Sequence, residues 1–157
     1  MSFTNENDNN NFITNIDTWK IIKKYIPTNK KIWSPFFCDG KQKEHFKELG
    51  FDILHQDEDF FEHDKGDIIV DNPPFDNLRK ILTRLKEINK PFIMIMPSSK
   101  INAVWFQKMF KDHLQIIIPL NKMNFTNLNP DIKFNFNWGT YFYCWKMDLP
   151  KDLIFID

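Results

Sequence analysis

The sequence has few of the features that mark secreted, membrane-spanning or disulfide-rich proteins. It contains two cysteines, Cys38 and Cys144, which lie far apart in the chain and suggest free thiols in a reducing compartment. Residues 1–12 lack the basic and apolar regions of a signal peptide, and no apolar run approaches the ~18 residues of a membrane span. We therefore expect a soluble intracellular protein, cytoplasmic or nuclear, without a membrane partner.

Several catalytic signatures are also missing. The four histidines show no H-x-x-x-H or mixed Cys/His spacing, so no metal site is predicted. The chain has neither the G-x-S-x-G turn of serine hydrolases nor a Walker phosphate-binding loop. These absences leave little support for zinc, hydrolase or nucleotide-hydrolysing chemistry.

The charges balance, with 21 basic and 21 acidic residues, but they are unevenly distributed. Residues 51–71 hold eight acids and a single base, so the remainder of the chain carries a net charge of +7. A basic remainder could meet a polyanion such as nucleic acid, although ordinary solvated surface charge explains the distribution equally well.

The sequence contains enough apolar material for one folded domain. Hydrophobic residues make up 42% and aromatic residues 16% of the 157 residues, which excludes a wholly disordered chain. Residues 1–11 are rich in asparagine and are expected to form a disordered tail. Residues 12–157 are expected to form a single domain without a separate target-recognition domain.

Hydrophobic periodicity predicts strands that alternate with helices. Strands are predicted over residues 31–36, 51–55, 67–70, 91–96, 114–118, 139–147 and 153–156, and helices over residues 18–26, 41–49, 77–89 and 101–110. Residues 121–138 are predicted to be irregular. This alternation is typical of an α/β fold with a mostly parallel central sheet and helices on both faces. The last two strands lack a helix between them, which favours an antiparallel pair at one edge.

The strand at residues 67–70 ends in Asp71-Asn72-Pro73-Pro74-Phe75. A residue before proline is held extended and prolines have a fixed φ, so this segment is stiff and its carbonyls are not used by a helix. Asn72 adds a neutral acceptor and Phe75 a flat apolar face. These groups suit a planar substrate with an exocyclic NH₂ group. The alternative is a simple Pro-Pro exit from a strand.

Asn72-Pro73-Pro74-Phe75 resembles the (D/N/S)-P-P-(Y/F) motif of S-adenosylmethionine-dependent amino-methyltransferases, best known in DNA adenine-N6 methyltransferases. The resemblance covers roughly residues 12–120 and implies a Rossmann-like methyltransferase fold with S-adenosylmethionine as cofactor. It also makes the four residues of the motif the expected catalytic residues.

Further segments resemble the cofactor-binding elements of this family. Residues 33–40, WSPFFCDG, are similar to the P-x-x-G-x-G loop, with Cys38 where the first glycine usually stands. Asp57 matches the acid that accepts from ribose hydroxyls, residues 59–61 are similar to the D-F-F element at the adenine, and residues 12–15 to the (F/Y)-x-T-P element at the methionine end. The residues expected to bind the cofactor are Thr14, Trp33, Pro35, Phe36, Asp39, Gly40, Asp57, Asp59, Phe60 and Asp71.

The resemblance implies a direct methyl transfer from a sulfonium to an exocyclic amine, with adenine N6 in DNA the first candidate and RNA the second. Asn72 and the Pro73 carbonyl would accept the amine hydrogens, and no charged base is required. A base in a duplex would have to be flipped out and stacked on Phe75. Phe125 and Trp138 are expected target contacts, with buried core as the alternative for either.

Two other functions stay open. The N-P-P-(Y/F) motif also occurs in enzymes that methylate a glutamine side chain of a protein. Alternatively, Cys38 and the small size of the chain indicate a catalytically degenerate subunit that binds nucleic acid or a catalytic partner. In that case a partner, or residues 121–138, would supply target recognition.

Overall fold

The computed structural model of the protein describes residues 12–123, 125–127, 129, 131 and 139–157. The predicted tail at residues 1–11 and Trp138 therefore lie outside the described residues. The strands of the described part are β1 (Phe12–Thr14), β2 (Ile32–Trp33), β3 (Ile53–Leu54), β4 (Ile68–Asp71), β5 (Phe92–Pro97), β6 (Leu114–Pro119), β7 (Phe125–Asn127), β8 (Thr140–Trp145) and β9 (Leu153–Ile156). Its α-helices are α1 (Ile16–Ile22), α2 (Lys41–Glu48), α3 (Leu78–Ile88) and α4 (Val104–Phe110).

A seven-stranded mixed sheet with the order β3-β2-β4-β5-β8-β6-β9 forms the centre of the protein. The strand pairs β2–β3, β2–β4, β4–β5 and β6–β9 are parallel, whereas β8 is antiparallel to both β5 and β6. The predicted α/β fold with a mostly parallel sheet is confirmed.

The prediction that the last two strands form an antiparallel pair at one edge of the sheet is wrong about where these strands lie. Strand β8 lies inside the sheet, between β5 and β6, and β9 forms the edge and runs parallel to β6. The reason is that β8 is apolar on both faces, since Phe142 and Cys144 enter one core layer and Tyr143 and Trp145 the other. A strand buried on both faces is most stable between two neighbouring strands.

A separate two-stranded antiparallel sheet joins β1 to β7, with Thr14 opposite Phe125. The prediction that residues 121–138 are irregular is therefore wrong for Phe125–Asn127. This three-residue strand has no alternating apolar pattern of its own and depends on its partner, β1, for pairing.

Helices cover both faces of the central sheet, as predicted. Helices α1 and α2 pack on one face through Trp19 and Phe46, and helices α3 and α4 pack on the other through residues such as Phe106. The central strands serve both layers, because Ile93 faces the first layer and the adjacent Met94 faces the second. No helix within the described ranges is long and apolar enough to cross a membrane.

The turn that enters β4 depends on Gly66, which has a left-handed φ of +70°. A Cβ at this position would lie 2.9 Å from the Lys31 carbonyl oxygen and 3.1 Å from the Trp33 backbone nitrogen. Glycine thus permits the close approach of the start of β4 to β2.

We expect Gly66→Ala to lower the free energy of unfolding by more than about 2 kcal/mol, because left-handed strain and backbone overlap add. Gly50→Ala is the matched control. Gly50 also has a positive φ, +93°, but nothing lies within 4 Å of its added Cβ. Gly50→Ala should therefore lower the free energy of unfolding through left-handed strain alone, by about 1–2 kcal/mol. Urea unfolding measures both variants, and equal losses would contradict the role assigned to Gly66.

Candidate functional site

Three of the segments singled out in the sequence meet at one edge of the sheet. Parallel β2, β3 and β4 are in register there, with Trp33 opposite both Leu54 and Ile69. The segments that leave the carboxyl ends of these strands are therefore neighbours: residues 34–40, residues 55–59 and residues 72–75. This is the edge at which ligands bind to sheets of this kind.

The carboxylate of Asp71 joins these segments. One oxygen, Oδ2, accepts hydrogen bonds from Ser34 Oγ at 2.9 Å and from the backbone N–H of Phe36 at 2.7 Å. The other, Oδ1, accepts from Gln42 Nε2 at 3.0 Å and from the backbone N–H of Asn72 at 2.7 Å. Asp71 is buried and both of its oxygens accept hydrogen bonds within the protein, so it holds the loop in place beside the cavity that it also lines.

Burial raises the pKa of Asp71 to about 6. The charge of His55 and the hydrogen bonds from the N–H groups of Phe36 and Asn72 and from the Ser34 hydroxyl act in the opposite direction. Ser34 also links to His55, since the Ser34 carbonyl lies 2.8 Å from His55 Nδ1. The carboxyl is thus ionised at neutral pH, at an energetic cost that the surrounding donors offset.

The loop at residues 34–40 contains two left-handed residues, Cys38 (φ +52°) and Gly40 (φ +79°). The first is a cysteine in a conformation that glycine reaches without strain. The Cys38 thiol points toward the Phe12 carbonyl of β1, at 3.9 Å. Burial, with the charges of Asp39 and Asp71, raises its pKa to about 11, so the thiol is neutral.

The side chain of Asn72 is held by β1. Its Nδ2 donates to Thr14 Oγ1 at 3.0 Å, while its Oδ1 is buried and has no hydrogen-bond partner among the described residues. A buried acceptor without a partner is unfavourable, so this oxygen is available to an external donor. Pro73 and Pro74 that follow are buried, and Phe75 is half-buried at the start of the turn that leads into α3.

A cavity of about 20 Å³ lies at this site, with Thr14, Cys38, Asp39, Gln42 and Asn72 among the residues that line it. This volume holds about one water molecule. Strand β1 covers the cavity, so a larger ligand requires β1 to move away from Asn72 and Cys38.

The two predicted acids after β3 differ in their surroundings. Asp57 is exposed at the carboxyl end of the sheet. Asp59 caps the short helical turn Phe60–Glu62, because its Oδ1 accepts from the backbone N–H of Phe61 at 2.9 Å. Asp57 is therefore the more accessible acceptor of the two.

Several predicted cofactor contacts lie in the core. Trp33 and Phe60 are completely buried, with ring centroids 5.7 Å apart, and Phe36 packs on Phe60 at 5.1 Å. Pro35 is also buried. Phe60 offers no exposed face for an adenine ring, and Lys80 Nζ lies 4.6 Å from the ring centroid of its half-buried neighbour Phe61.

The remaining predicted residues lie around the cavity. Asp39 precedes α2, where its Oδ1 accepts from the backbone N–H of Lys41 at 3.0 Å and its Oδ2 lies 3.8 Å from Lys41 Nζ. Phe125 is half-buried in β7, opposite Thr14 of β1. A target contact by Phe125 would thus come from the two-stranded sheet of β1 and β7, whose strand β1 covers the site.

Three residues of the site were not predicted from the sequence. Ser34 lies within the predicted loop, Gln42 lies in the first turn of α2, and His55 directly follows β3. Ser34 and Gln42 also hydrogen-bond to each other. The His55 ring stacks on Phe37 with a centroid separation of 5.1 Å. A polar residue directly after a buried strand is the signal that could have indicated His55.

No protein-family model, curated protein or solved structure matches this chain.

We expect Asp71 to impose a pH dependence on folding. Because its pKa rises from an ordinary 3.8 to about 6 on folding, the unfolded chain releases this proton first as pH rises. The difference in free energy of unfolding between wild type and Asp71→Asn should then change with pH. Wild type should lose roughly 3 kcal/mol relative to the variant between about pH 4 and pH 6, and the difference should be constant above pH 6. Urea unfolding across this range measures it.

Ser34→Ala provides the control for this pH profile. Loss of the Ser34 hydrogen bond to the carboxylate should raise the pKa of Asp71 further and extend the decline to higher pH. A difference between wild type and Asp71→Asn that is the same at every pH would refute the assignment.

Proposed function

We propose that the protein is an S-adenosylmethionine-dependent N-methyltransferase of the Rossmann-like methyltransferase fold, which methylates an exocyclic amine. Adenine N6 in DNA is the first candidate substrate, and RNA the second. The observation that supports this most strongly is the buried, partnerless Oδ1 of Asn72, at the carboxyl end of a parallel strand and directly before Pro73.

The orientation of the Asn72 amide suits an amine substrate. Because Thr14 takes the Nδ2 hydrogen bond, the amide oxygen is the group of Asn72 that has no partner among the described residues, and Asn72 lines the cavity. An NH₂ group on a ring could donate one hydrogen to this oxygen and the other to the Pro73 carbonyl. Two such bonds would localise the nitrogen lone pair and aim it, while Phe75 stacks on the ring.

The donor groups around the site fit the proposed cofactor. The exposed carboxylate of Asp57 suits a ribose diol, and the turn at Gly40 places backbone groups and Asp39 beside the cavity. Bound S-adenosylmethionine would supply an electrophilic methyl group. Room for it requires β1 to separate from the loop, which breaks the Thr14–Asn72 hydrogen bond and the Cys38–Phe12 contact.

A specific observation favours a second candidate, a catalytically degenerate subunit. The side chain of Cys38 lines the cavity at the position where the family loop has a glycine. A thiol in that place reduces the room for a ligand without changing the left-handed backbone. Cofactor binding separates the two candidates.

We expect S-adenosylmethionine to bind the purified protein, and Cys38→Gly to lower the dissociation constant about tenfold, since it removes the thiol from the cavity and relieves left-handed strain. Isothermal titration calorimetry measures this. Cys144→Ala, a change at a buried thiol of the core, should leave the affinity unchanged, and Asp57→Ala should weaken it. Folded protein that binds no cofactor, with or without Cys38→Gly, would contradict the enzyme and support the degenerate subunit.

We expect Asn72→Ala to reduce methyl transfer to adenine-containing oligonucleotides at least about a hundredfold, because the amine loses an acceptor that aims it. Cofactor affinity should change little. The assay follows transfer of a labelled methyl group to single-stranded and duplex DNA, and to RNA.

Asn29→Ala, a change at an exposed asparagine in the turn before β2, is the control for this experiment. Full activity of Asn72→Ala would rule out the proposed role of the motif. Transfer that is insensitive to salt would argue against a nucleic-acid substrate, because phosphate contacts make binding strongly salt-dependent.

A further inference from the structure

Strand β9 leaves one edge of the central sheet open. It pairs in parallel with β6 on one side, and within the described residues no strand pairs with its other side. An open edge presents backbone N–H and C=O groups to any chain that can pair with them. This edge does not involve the site at residues 71–75, so an association through β9 is independent of the proposed function.

The same edge exposes a strip of large apolar side chains. Leu153 is 50% exposed, Phe155 69% and Leu120 72%. All three lie on one face of the sheet, because Leu153 pairs with Ile116 and Phe155 with Ile118, two residues before Leu120. Neither a proline nor a charge interrupts β9 itself, so it lacks features that protect the edge strands of monomers.

The backbone groups of alternate residues point out of this edge. The N–H of Ile116 donates to the Asp152 carbonyl and the N–H of Leu120 to the Ile156 carbonyl, both at 2.8 Å. These bonds turn the backbone groups of Asp152 and Ile156 toward β6. By the alternation of a strand, Leu153 and Phe155 turn theirs outward.

The segment Lys151 to Asp157 is complementary to a second copy of itself. Antiparallel pairing about Ile154 sets Lys151 opposite Asp157 and Leu153 opposite Phe155. Leu153 and Phe155 are outward-turned, so their two pairs exchange about four N–H···O bonds, whereas the Lys151 carbonyl accepts from Gln115 Nε2 at 3.1 Å within the protein. The charged pair is attractive and the apolar pair joins the two exposed strips.

The neighbouring registers are less favourable. Pairing about Leu153 sets Lys151 opposite Phe155, and pairing about Phe155 sets Asp157 opposite Leu153. Each places a charge against an apolar side chain. The register about Ile154 alone matches charge with charge and apolar with apolar.

We propose that two copies of this protein associate through β9, antiparallel and in register about Ile154, so that their sheets join across a two-fold axis. Such an interface is isologous, because each residue pair occurs twice. It leaves the carboxyl-end site of each copy outside the contact between the β9 strands.

Sedimentation equilibrium from about 1 µM to about 1 mM tests this, since a monomer of 19.0 kDa should give way to a species of twice that mass. Phe155→Pro should abolish the dimer without unfolding the chain, because the lost N–H points outward and proline is tolerated on such edges. Val104→Thr, which changes an exposed apolar residue outside β9, should leave the equilibrium unchanged.

Charge exchange tests the register. Lys151→Asp alone and Asp157→Lys alone should each weaken the dimer about tenfold, because two attractive pairs become repulsive. The double variant should restore it. A monomer at every concentration would overturn the proposal and would indicate that a different protein binds the edge. A dimer that survives Phe155→Pro, or that the double charge exchange does not restore, would overturn it as well.

Discussion

The candidate site depends on one buried carboxylate, that of Asp71. Its four hydrogen bonds come from the loop after β2, from the first turn of α2 and from the residue that follows it in the chain. A buried charge is tolerated only when donors of this kind surround it. The need to surround this charge with donors therefore fixes the shape of the loop at residues 34–40. It also fixes the direction in which Asn72 leaves strand β4.

Strand β1 has two effects on the site that oppose each other. Through Thr14 it orients the Asn72 amide so that its oxygen is available, and through Phe12 it contacts Cys38 and closes the cavity. A ligand that opens the cavity also removes the acceptor of Asn72 Nδ2. The amide then keeps its orientation only if the ligand, or β1 in a new position, supplies another acceptor.

Local patterns predicted the elements whose signal is periodic, and missed what depends on distant partners. Helix α3 was evident from Leu78, Ile81, Leu82 and Leu85, all of which are buried. The interior position of β8 and the existence of β7 were not evident from the sequence, because both depend on the strands with which they pair. The link from Gln42 to Asp71 spans 29 residues, and the burial of Phe60 comes from Trp33 and Phe36. A motif therefore indicated the candidate site, whereas tertiary contacts decide which of its residues are buried.

Cys38 separates two properties that a glycine supplies together. Glycine in such a loop provides a left-handed backbone and an absence of side-chain volume. Cysteine in this chain retains the left-handed backbone, at φ +52°, and the hydrogen bonds of Asp71 keep the loop in place around it. The thiol occupies only the space that a glycine would leave empty. The loop thus keeps a backbone that glycine would favour, while the thiol and strand β1 leave a cavity of only about 20 Å³ beside it.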